Sequence, residues 1–78
     1  MRFEMLRLLT ALSHAACAMD AMAEDLASAA HSTEPQSMAV ALRMLAQRHR
    51  IEALRLRGAF AVARDAYDAQ YGVERDAF

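Results

Sequence analysis

His14 and Cys17 stand three residues apart, with Glu24 and His31 further along the same helical side, and imidazole, thiolate and carboxylate groups are the ligands that bind zinc. A structural zinc site needs four converging ligands, usually a tight local pair and a second pair at matching spacing. Neither is present within one chain, so these residues are expected on a solvated helix face, with no metal and no cofactor. Met5, Met19, Met22, Met38 and Met44 carry thioethers that suit Cu(I), but four of these methionines fall on apolar stripes where methionine fills irregular packing. Glu24 with Asp25 and Asp65 with Asp68 are paired carboxylates on outward helical positions. No nucleophile motif or glycine-rich phosphate loop accompanies them in a chain with two glycines. The chain reads as a non-enzyme.

The stretch "RMLAQRHRIEALRLRGAF", residues 43 to 60, holds five of the nine arginines of a protein without lysine. Arg43, Arg50, Arg57 and Arg64 recur every seven residues and form one seam on a helix. Arg48 and Arg55 lie on the other side with Glu52. Such a comb could neutralise phosphates, which makes nucleic-acid binding the sharpest rival to a structural role. Against it stand the net charge of −1, the lack of aromatics between the arginines, and the absence of a helix-turn-helix or other reading motif. Asp20, Glu24 and Asp25, expected near Arg43 and Arg48 across a hairpin, would also compete with phosphate. Nucleic acid is therefore disfavoured as the partner.

A 78-residue chain forms one domain at most, and domains of this size often lean on disulfides, metals or oligomerisation. With Cys17 its lone cysteine, the chain is no disulfide scaffold, and a reducing cytoplasm is the expected location. Apolar residues make up 56% of the sequence, but nineteen residues are alanine, which favours helix while contributing little core area. Residues 1 to 34 carry a charge of −3, residues 35 to 64 carry +5, and residues 65 to 78 carry −3. That alternation can pair within a molecule or between copies. Glu4, Arg7 and His14 interrupt the leucine-rich N-terminal run, so neither a cleaved leader nor a membrane span is expected.

The strongest punctuation is "HSTEPQS", residues 31 to 37, which contains the one proline and separates two helix-compatible segments. Thr33 with Gln36 has capping-box spacing, and Pro35 suits a helix's first turn. So short a connection makes the helices antiparallel neighbours. The expected elements are helix 1 at about 3–30, a turn at about 31–34, helix 2 at about 34–71 and a tail at about 72–78, with Gly72 as the helix stop. In helix 1 the steps of four and three through Met5, Leu9, Leu12, Ala16, Met19, Ala23, Leu26 and Ala30 define one buried stripe, widened by Leu8, Ala15 and Met22. The opposite face is mostly polar.

Helix 2 is expected to be bifacial. One stripe runs through Met38, Leu42, Leu45, Ala53, Leu56, Phe60, Ala63, Tyr67 and Tyr71, with His49 in line with it as a packed or bonded histidine. A second, nearly opposite, holds Val40, Met44, Ile51, Leu54, Gly58, Val62 and Ala69. The arginine seams border the two, their stems along apolar surface and their heads in water. The hairpin partner covers one stripe, and a second of this length would expose more apolar surface than soluble monomers usually tolerate. Gly58 fits a close helix crossing on that face. A turn centred near residue 32 or 33 would put Met5 beside Phe60 and leave residues 64 to 72 overhanging, with Tyr67 and Tyr71 in need of a second chain.

These features imply an all-α antiparallel two-helix hairpin that, through the second stripe of helix 2 (Val40, Met44, Ile51, Leu54, Gly58, Val62 and Ala69) with Tyr67 and Tyr71, dimerises into a four-helix bundle or docks an amphipathic helix of a partner protein. Its task would be that of a small non-catalytic interaction module, an adaptor or chaperone. In length and helix layout it is similar to the small helical-hairpin co-chaperones of bacterial type III secretion.

Overall fold

The computed structural model describes residues 1–72 as two α-helices, α1 over Arg2–His31 and α2 over Gln36–Tyr71, packed against each other as a hairpin 59 Å long. Alanine, leucine, methionine and arginine, all strong helix formers, dominate both helices and allow runs of 30 and 36 residues without a break. Residues from 73 onward, where most of the tail was expected, lie outside the described part.

The connection is built differently from the capping box expected of Thr33 and Gln36. Pro35 is the N-cap of α2, no side chain caps the helix, and the Pro35 carbonyl accepts from the amides of Met38 at 3.0 Å and Ala39 at 3.3 Å. The Thr33 hydroxyl instead donates back to the Ala29 carbonyl, which also accepts from the Ser32 amide at 3.3 Å. The last carbonyls of a helix lack intrahelical donors, and here they claim the hydroxyl first. At the far end Gly72 terminates α2 through its amide and the Asp68 carbonyl at 2.8 Å, an approach so close that a Cβ there would strike that carbonyl.

The core is a double line of methyl groups. Ala16, Ala23 and Ala30 on α1 and Ala39, Ala46 and Ala53 on α2 are at most 3% exposed, and among the described residues no large side chain is fully buried. Each trio repeats every seven residues, and small residues at those positions let two helix backbones approach closely. Leu9, Leu12, Met19, Leu26, Leu42, Leu56 and Phe60 flank the line, half-buried. On helix 1 this is the expected stripe without its expected widening, since Leu8 and Met22 are exposed. On helix 2 Leu42, Ala53, Leu56 and Phe60 hold their expected places, but two positions shift by one residue: Ala39 and Ala46 are buried, whereas Met38 and Leu45 are exposed. Close approach selects the smallest side chains for the contact and pushes the larger neighbours to its rim.

The register also differs from the expected pairing of Met5 with Phe60. Arg2 Nε donates to the Tyr67 hydroxyl at 3.1 Å, and its guanidinium lies 5.8 Å from the Tyr71 ring centre. An antiparallel pair in that register brings Ala16 level with Ala53, Ala23 with Ala46, and Ala30 with Ala39. Helix 1 therefore reaches almost to the end of α2, and the expected overhang is absent.

Candidate interaction surfaces

The two long sides of the hairpin differ in chemistry. Asp20 lies four residues after Ala16 and Arg57 four after Ala53, so both border the alanine line on the same side of an antiparallel pair. There the Arg57 guanidinium bonds and pairs with the Asp20 carboxylate. The bond from Asp20, and then its charge, hold the Arg57 pKa above the ordinary guanidinium value, against a slight opposing effect of burial. Arg43, Arg50 and Arg64 follow the same row, and Arg64 lies 6.0 Å from the Phe60 ring centre.

The residues one before each contact alanine fall on the other side: Ala15, Met22 and Ala29 on α1, and Met38, Leu45 and Glu52 on α2. Leu8, Met22, Met38 and Leu45 there are all exposed. Between the helices a shallow groove is lined by Met19, Leu45, Arg48, His49 and Glu52. His49 is half-buried, its Nδ1 2.8 Å from the Leu45 carbonyl, the geometry of the tautomer whose Nδ1–H donates. Sequence reasoning assigned Met38 and Leu45 to the interior and so missed this side. The alanines at 39, 46 and 53, echoing those at 16, 23 and 30, are the signal that reveals it.

The back of α2 is a third surface. Val40, Met44, Ile51, Leu54 and Val62 are 44–71% exposed, Ala69 is also exposed, and a Cβ placed on Gly58 would meet nothing within 4 Å. The hairpin thus leaves this row uncovered. Arg43, Arg50, Arg57 and Arg64 run along one border, Arg48 and Arg55 along the other. Arg57 is engaged by Asp20, and Arg55 lies 3.7 Å from Glu52. Arg43, Arg48 and Arg50 form no ion pair among the described residues.

Tyr67 and Tyr71 do not join that row. They are half-buried with ring centres 5.0 Å apart, and Arg2 engages both. The need for a second chain to cover them, expected from the overhang, disappears with the register. His14 and Cys17 are exposed on α1, and among the described residues no three histidine, cysteine or acidic side chains come together to hold a metal ion. No helix among those residues is long and apolar enough to cross a membrane.

No family model, curated protein or solved structure matches this chain. The likeness to type III secretion co-chaperones thus rests on length and helix layout alone.

Proposed function

We propose that this chain is a non-catalytic assembly module of the cytoplasm, in which two hairpins pack through their Leu8, Met22, Met38 and Leu45 sides into a homodimeric four-helix bundle. The observation that carries the reading is the core itself: six alanines are its buried hydrophobic residues, while these four large side chains on one side stay exposed. Fully burying an exposed leucine or methionine contributes about 1.5–3 kcal/mol, and because these four are already about half buried, covering this side adds roughly half of that for each, on the scale of the intrahairpin contact line itself.

The charge pattern favours this side over the back of α2 for self-association. Two copies of the back row, in either direction, would set arginine against arginine, and like charges in apposition are destabilising. Around the apolar side, α1 carries Glu4 and Asp25 at its outer edge and α2 carries Arg48 and Arg55. A two-fold pair that lays α1 of one hairpin over α2 of its partner matches acid to arginine, and Ala11, Ala15 and Ala18 leave room for close approach.

The test is sedimentation equilibrium on two double variants. Met22→Glu with Leu45→Glu should yield a helical monomer, whereas Ile51→Glu with Leu54→Glu should leave the dimer intact. The reverse pattern would place the dimer contact on the back of α2 and sink this arrangement.

A further inference from the structure

We infer that the back of α2 is a docking seam for an acidic amphipathic helix of another protein. The inference rests on the reading of the chain as an interaction module, but not on its dimerisation. Val40, Met44, Ile51, Leu54, Gly58 and Ala61 succeed one another at steps of three, four and seven, the pattern that a helix presents along one straight row. From Val40 to Val62 this row spans roughly 30 Å at 1.5 Å per residue, the reach of about six helical turns. Every side chain in it that is large enough to matter is exposed, and Gly58 leaves open space where another backbone can come close.

The flanks state what the occupant must carry. Arg43 and Arg50 on one border lie beside Met44 and Ile51 with no ion-pair partner among the described residues, and Arg48, which the proposed dimer would engage, lies on the other. A helix lying on the seam places its own flanking positions over these borders, as the positions beside a coiled-coil seam do. Glutamate or aspartate there would answer the arginines, and leucine, isoleucine or methionine along its centre would cover Met44, Ile51 and Leu54. A second copy of α2 fails this requirement because it brings arginines. A nucleic acid would meet the arginines but leave the apolar row between them facing phosphates, with no aromatic in the row on which a base could stack.

Two synthetic 28-residue helical peptides serve as probes, identical in a central leucine row and carrying either glutamate or lysine at the flanking positions. Binding is followed by fluorescence anisotropy. The glutamate peptide should bind at least about tenfold more tightly than the lysine peptide, and should weaken as salt is raised. Arg43→Glu with Arg50→Glu should reverse the preference, a gain of binding to the lysine peptide that misfolding cannot produce. Gly58→Leu should weaken both peptides without loss of helicity. Equal binding of the two peptides, or binding of neither, would overturn the inference. So would an RNA duplex that binds more tightly than the glutamate peptide, or back-row self-association abolished by Ile51→Glu. Met22→Glu with Leu45→Glu leaves the seam untouched, so peptide binding by that variant separates failure of the seam from failure of the dimer.

Discussion

Arg57 of α2 pairs with Asp20 of α1 on one side of the hairpin, and Leu45 and Met22 stand exposed on the other. That asymmetry follows from position alone: the ion pair sits four residues past contact alanines, the apolar pair one residue before them. It separates a wet edge from one that a second hairpin can cover.

Breaking the ion pair should cost little, because both groups are nearly half exposed and such pairs are screened by salt. Asp20→Asn should lower the melting temperature slightly at low ionic strength and not at all in concentrated salt. Because the Arg57 pKa is raised, its contribution is fully present below the unfolded-state value and is lost only as pH climbs through the still higher folded value. Thermal melts at neutral and mildly alkaline pH should therefore show no loss traceable to Arg57. A fall in that window would place the stabilising charge elsewhere.

The alanine line should resist enlargement. Ala46→Leu keeps helix propensity high but forces a larger side chain into a contact that is 1% exposed, so a loss of about 1–3 kcal/mol is expected in urea unfolding. Ala41→Leu, at an exposed position of the same helix, should be nearly neutral. Equal effects would mean that the helices are not closely apposed.

Gly58 is a mid-helix glycine with no neighbour within 4 Å of its missing Cβ. Gly58→Ala should raise the stability of the isolated protein by about 0.5–1 kcal/mol through helix propensity. Denaturant melts check this directly. Destabilisation would show that another helix of the same assembly already crosses there.

Arg2 closes the open end of the hairpin over Tyr67 and Tyr71. Arg2→Ala should speed amide exchange in the last two turns of α2 while leaving the amides around Ala46 protected, since the two regions share no contact. Uniform acceleration along the chain would contradict a local closure.

Much of this architecture was legible in the sequence. The helices, the turn around Pro35 and the α1 stripe follow from periodicity and from one proline, signals that tertiary packing does not alter. The α2 contact line was legible at Leu42, Ala53, Leu56 and Phe60 but not in the first turns of the helix, because a reading that ranks side chains by size puts Met38 and Leu45 inside. Two helices that approach closely bury Ala39 and Ala46 instead. The same displacement of register hid the partners of Tyr67, Tyr71 and Arg57, since each depends on how far one helix slides past the other. The uncovered row from Val40 to Val62 was visible because it requires only 3.6-residue periodicity and the fact that one neighbour covers one face.

The mass of the native chain in solution bears most directly on the central claim. Sedimentation equilibrium at micromolar concentration should give twice the 8.6 kDa chain mass, with full helicity retained. A folded, helical species at 8.6 kDa under those conditions would contradict self-assembly through the Leu8, Met22, Met38 and Leu45 side.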